Sequence, residues 1–171
     1  IEFCDITEPY INLVIDKLDF GNRKIKVVYD CGNGTSSVIV KDIFKRIKDK
    51  VEYIGIFDES DGNFPNHHPD PCVEENLSHL KEKIKETNAD CGIAFDGDGD
   101  RIGVIDNQGN FLESDEYMIA IWRDIYDKVD KKESFFDVKC SKALEDELIK
   151  LNIKPNETRT GNSYTRKISY D

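Results

Sequence analysis

The chain is 171 residues long, enough for one ordinary domain with a packed core, or for one small domain and part of another. Hydrophobic residues make up 38% and charged residues 35%, so the composition is hydrophilic yet still able to form a core. No apolar run approaches the ~20 residues that cross a bilayer, which excludes a membrane-spanning helix, and a net charge of −11 argues against nucleic acid or an anionic membrane as partner. The five cysteines, Cys4, Cys31, Cys72, Cys91 and Cys140, are odd in number, widely spaced and without a C-x-x-C pair. They read as reduced thiols of a cytoplasmic protein rather than a disulfide frame or a zinc site. The chain opens at Ile1 with no basic-then-apolar leader and stops at Asp171 without a tail, so a fragment of a longer protein is expected.

In chain order, Thr7 is expected to cap a first helix with Ile11, Val14, Ile15 and Leu18 on its apolar face. Residues 24–30 (KIKVVYD) form a short β-branched strand that turns at Cys31-Gly32-Asn33-Gly34 into a helix burying Ile39, Ile43, Phe44 and Ile47. Residues 51–57 are the next strand, and 58–71, rich in Asp, Asn, His, Gly and Pro, read as irregular. A third helix carries Val73, Leu77, Leu80 and Ile84. Strand 89–95 ends in Asp96-Gly97-Asp98-Gly99-Asp100-Arg101, and 102–106 with 110–112 make a hairpin. From Ser114 the pattern restarts, with a Ser114-capped helix (Met118, Ile121, Trp122, Ile125, Val129), a strand at 134–138, a Ser141-capped helix (Leu144, Leu148, Leu151) and a polar segment. The expectation is an α/β fold, a mixed sheet with helices packed on it, with one complete domain at 1–112 and a truncated one of similar type at 113–171.

Three carboxylates at alternate positions, Asp96, Asp98 and Asp100, end a buried-looking strand. The glycines between them allow a tight fold that converges their oxygens on one point, and bare carboxylates that close repel unless a cation sits among them. Oxygen ligands select a hard ion, Mg²⁺ or Ca²⁺. An EF-hand fails, because its sixth and twelfth positions are Arg101 and Asn107 rather than Gly and Glu. A haloacid-dehalogenase-type phosphatase also places D-x-D after a strand, but the Thr or Val it carries two places after the second Asp is Asp100 here, or Ile102 if the register slips. Arg101 is either the bidentate partner of a phosphate near the metal or a charge-balancing neighbour of the aspartates. His67, His68 and His79 lack zinc spacing, and Gly32 and Gly34 do not complete G-x-G-x-x-G because position 37 is Ser37.

The string Cys91–Phe95 leading into Asp96–Arg101 resembles the metal loop of the α-D-phosphohexomutases, the phosphomannomutase/phosphoglucomutase family. Asp30–Gly34 and the Phe64–Pro71 string (FPNHHPDP) resemble the same family's second domain. The Phe136–Ser141 string (FDVKCS) and Arg159-Thr160-Gly161 resemble the first part of its third. The similarity runs in order from about Asp5 to the C-terminus, and the bacterial enzymes acting on both mannose and glucose phosphates are the nearest group. The resemblance implies a four-domain isomerase that interconverts hexose 1-phosphate and hexose 6-phosphate through a phosphoserine and a glucose or mannose 1,6-bisphosphate. It implies that Asp96, Asp98 and Asp100 hold Mg²⁺ against the phosphoserine and that Arg101 reaches the transferring phosphoryl group. Lys139 is then a candidate general acid/base, a role that needs burial or neighbouring cations around its amine. It also implies that 67–71 is a rigid loop beside the second domain. Where the family often has His, this chain has Asn162, which can contact substrate but cannot transfer a proton. The phosphoserine loop, the sugar-binding string and the C-terminal phosphate loop are not in this sequence. The partners implied are a hexose phosphate and the phosphoserine and C-terminal domains of the same polypeptide, and the chain by itself is expected to be inactive. The alternatives are the phosphatase and a non-enzymatic metal-binding module.

Overall fold

A computed structural model describes residues 4–161. The chain divides into two compact units, Ile1–Phe111 and Leu112–Asp171. None of the described helices is long and apolar enough to cross a membrane.

The first unit is built on a sheet of order β2-β1-β3-β4-β5, with β1 Ile25–Asp30, β2 Val51–Ile56, β3 Cys91–Phe95, β4 Ile102–Asp106 and β5 Phe111–Leu112. β1 runs parallel to both β2 and β3, while β4 returns antiparallel to β3. Central β1 is apolar on both faces, as a strand covered on both sides requires. Val28 packs with Leu77, Leu80, Ile84, Ala94 and Ile105 under α3 (Ser78–Thr87). Val27 packs with Ile47 and Val51 on the other face, where Ile15 and Phe44 of α1 (Thr7–Ile15) and α2 (Val40–Arg46) close the core.

The local differences from the sequence reading have simple causes. The first helix begins at Thr7, and Asp5 supplies the oxygen that accepts the Thr7 N–H at 2.9 Å. Leu18 lies beyond the helix and is exposed. The second and third helices are entered through 3-10 turns at Thr35–Val38 and Glu74–Leu77, which leaves Val73 exposed ahead of its helix. Strand β2 stops at Ile56 because Phe57 has φ +50.

The second unit holds α4 (Ser114–Ile125), β6 (Glu133–Asp137), α5 (Lys142–Lys150) and β7 (Lys154–Thr158), with β6 and β7 parallel. Its core is Phe136, Leu144, Leu148 and Ile153, lined by Met118 and Trp122. Glu113, not Ser114, caps α4, in a reciprocal box with Glu116. Ile121 is half exposed and Val129 lies past the helix end. Ser141 stands at the N-cap of α5 as expected, but without a side-chain cap bond.

Candidate metal centre

Because β1, β2 and β3 are parallel, the loops after them, 31–34, 57–71 and 96–101, gather at one end of the sheet. The chain runs from β1 to a neighbour on one side and then to β3 on the other. That makes the β1–β3 crevice a topological switch point, where open α/β sheets bind ligands. The aspartate loop sits at the mouth of this crevice.

The loop is pinned by its own backbone and by the neighbouring turn. Gly99 N–H donates to Asp96 O at 3.2 Å, and Thr35 N–H donates to Gly97 O at 3.0 Å. Gly99 has φ +76, a conformation that side chains resist. Gly34 is needed for closeness rather than for dihedral freedom. A Cβ there would lie 2.8 Å from Gly97 O and 3.0 Å from Asp96 O.

One carboxylate oxygen from each of Asp96, Asp98 and Asp100 lies within 4.8 Å of the others, a grouping unique among the described residues. Asp96 is buried, while Asp98 and Asp100 are open to solvent. The negative charge of Asp98, then a hydrogen bond with Asp96, pushes the Asp100 carboxyl up. Burial opposes ionisation of Asp96, but the Arg101 backbone N–H and guanidinium outweigh it and hold its carboxyl down at about 2. Converging oxygens with one carboxyl raised by repulsion fit a hard divalent cation, which would relieve that repulsion.

Arg101 is held at both ends. Its Nε donates to Asp96 Oδ2 at 2.8 Å, its Nη1 to Asp70 Oδ1 at 2.9 Å, and its backbone N–H to Asp96 Oδ1 at 3.0 Å. The charge-balancing reading of Arg101 is thus realised, and a phosphate would meet a guanidinium already aligned by two carboxylates. Sequence reasoning missed Asp70. It stands out only as the one carboxylate in HHPDP, and no spacing rule brings it to a residue 31 positions away.

Among the described residues no histidine belongs to a cluster that could hold a metal ion. His67 is taken up by Asp30 at 3.0 Å, and His79 stacks on it with ring centroids 6.4 Å apart. Lys139 belongs to the second unit, in the turn after β6, and is exposed. It lines a 370 Å³ recess with Glu113, Asp115, Asp137 and Cys140, and burial does not surround its amine there. Asn162 lies outside the described residues.

The family model described as phosphoglucomutase/phosphomannomutase, alpha/beta/alpha domain II, matches residues 8–109. A phosphomannomutase/phosphoglucomutase of Pseudomonas syringae pv. tomato is 41% identical over 163 residues, covering 95% of this chain and 34% of its own. The Pseudomonas aeruginosa protein of the same name is 38% identical over 98% of this chain and 35% of its own. The chain thus spans about a third of the length of the curated relatives it matches. Among solved structures, a phosphoglucomutase/phosphomannomutase family protein of Burkholderia thailandensis superposes with TM-score 0.90 at 32% identity, covering 97% of this chain and 36% of that one. One described as a phosphomannomutase from Thermus thermophilus, at 20% identity and TM-score 0.77, covers 92% of this chain and 37% of that one and shares the fold. With the aspartate loop at the sheet's switch point and a family model matched over most of the first unit, the chain belongs to the phosphoglucomutase/phosphomannomutase family.

Proposed function

We propose that this chain is the metal-binding part of a cytoplasmic phosphohexomutase. Such an enzyme interconverts hexose 1-phosphate and hexose 6-phosphate, of mannose or glucose, through a phosphoserine and a 1,6-bisphosphate. On this reading residues 1–112 are its second domain and 113–171 the start of its third. The observation that carries the proposal is the convergence of Asp96, Asp98 and Asp100 within 4.8 Å beside Arg101. The three carboxylates would hold Mg²⁺, which when bound neutralises phosphoryl charge. Asp96 anchors the loop from inside the protein, and Asp98 and Asp100 face outward, where a phosphate can approach. Arg101 keeps its Nη2 edge for a phosphoryl oxygen while Asp70 and Asp96 fix its plane. By the family resemblance, Lys139 would serve the same enzyme as acid/base and Asn162 as a substrate contact. Five free cysteines support a reducing, cytoplasmic setting.

A phosphatase using Asp96 as nucleophile is disfavoured, because Asp100 stands where that family carries Thr or Val two places after its second Asp. The deciding experiment uses the full polypeptide that carries this chain, supplied with glucose 1-phosphate, Mg²⁺ and catalytic glucose 1,6-bisphosphate. Glucose 6-phosphate should form, and its formation should vanish in Asp98→Asn. Stoichiometric inorganic phosphate with no isomer would overturn the mutase reading in favour of a phosphatase.

A further inference from the structure

Outside the aspartate loop, the most heavily buried ion pair among the described residues of the first unit is His67 with Asp30. Their side chains are 10% and 0% exposed. His67 Nε2 meets Asp30 Oδ2 at 3.0 Å and Nδ1 meets the His68 carbonyl at 2.9 Å. Facing an ionised Asp30, both partners of the ring are acceptors, and both ring nitrogens donate only in the imidazolium. The other Asp30 oxygen accepts the Gly32 N–H at 2.7 Å. The titratable neighbours of the ring are Asp30 at the end of β1 and His79 on α3, with Phe57 edge-on to both rings.

This pair joins the two loops on which the aspartate loop rests. Through Asp30 it holds the 31–34 turn, which leads into the Thr35 N–H that donates to the Gly97 carbonyl and where Gly34 leaves room for that carbonyl. Through His67 it holds the 67–70 segment, where Pro69 packs on Gly32 and Asp70 grips Arg101. We infer that His67 is a positioning residue for the cation site: as an imidazolium clamped to Asp30, it locks both supporting loops and so sets the spacing of Asp96, Asp98 and Asp100. The role rests on the cation reading proposed above. Within the loops themselves, it predicts that losing the His67 charge is felt at Gly97–Arg101, residues His67 does not touch. The Asp30 hydrogen bond raises the titration of the ring against the opposing effect of burial.

The test uses the whole chain labelled with nitrogen-15. Imidazole correlation spectra recorded between about pH 5 and 9 should show both His67 nitrogens protonated at neutral pH. The amide signals of Gly97–Arg101 should move with the same midpoint as the ring deprotonates. In His67→Gln, which keeps a donor to Asp30 but no charge, those amides should be displaced at neutral pH and Mg²⁺ affinity by calorimetry should fall roughly tenfold. If His67→Gln does not fold, the pH titration of the unaltered chain decides alone. A singly protonated His67 ring at neutral pH, or 97–101 signals that stay put while His67 loses its proton, overturns the inference whatever the metal does. Absence of Mg²⁺ binding by the unaltered chain overturns the cation reading whatever the amides do.

Discussion

At the scale of single residues, the aspartate loop divides its work between a buried anchor and two exposed carboxylates. Asp96 is paired by Arg101 and shapes the loop, so Asp96→Asn should damage stability as well as cation binding. Among the described residues the Asp98 side chain makes no hydrogen bond or ion pair, and Asp98→Asn should abolish Mg²⁺ binding with an unchanged urea midpoint. Calorimetry with parallel denaturation separates the two. Gly34→Ala forces a Cβ against two loop carbonyls at 2.8 and 3.0 Å, and should cost about 1–3 kcal/mol, read from urea unfolding. His67→Ala strands the buried Asp30 carboxylate and should cost about 3–5 kcal/mol in the same measurement. The pH dependence has a definite sign. Because the folded His67 titrates above its ordinary value of about 6.5, its contribution is complete below that value and is lost as pH rises through the raised one. The urea midpoint of the unaltered chain should therefore fall from neutral to mildly alkaline pH, and that slope should be missing in His67→Gln.

At the scale of elements, the sheet places the site and the helices stabilise it. β1 is fixed at its start by Asp90, whose carboxylate accepts the Lys26 N–H at 2.8 Å and Arg23 at 2.6 Å. The Lys26 N–H first, then Arg23, hold the Asp90 carboxyl below its ordinary value, so this tie is lost only as the solution becomes strongly acidic. Leu80 of α3 is fully buried against Val28 and Ile84, and Leu80→Ala should cost about 2–5 kcal/mol in urea unfolding. These elements were legible because their apolar periods are strong. β7 was not, because Lys154-Pro155-Asn156-Glu157-Thr158 has no apolar alternation and a proline that cannot donate to a ladder. It forms a strand because β6 offers a parallel partner, from Glu133–Lys154 to Asp137–Thr158, and the Leu148–Ile153 core draws it in.

At the scale of the whole molecule, the chain spans about a third of the length of the curated relatives it matches. Three carboxylates provide half of the oxygens an octahedral Mg²⁺ takes, so binding to this chain should be weaker than micromolar, as calorimetry would show. The proposed mechanism also needs a donor serine and a phosphate anchor, and neither motif is in this sequence. The purified chain should therefore not convert glucose 1-phosphate to glucose 6-phosphate, even with Mg²⁺ and the 1,6-bisphosphate. Turnover that survives purification and disappears in Asp98→Asn would contradict this.

What the sequence determined by itself was the part of the site carried by near neighbours. Asp96, Asp98, Asp100 and Arg101 lie within six residues, and alternate positions with intervening glycine can converge without any distant help. The α/β grammar was equally local, written in runs of β-branched residues and helical apolar stripes. What only the tertiary structure decided was the support beneath the loop. Asp70 reaches Arg101 across 31 positions and His67 reaches Asp30 across 37, because three parallel strands deliver their following loops to one end of the sheet. Side-chain pairing at such separations follows from strand order, and strand order is set by which faces can be buried together.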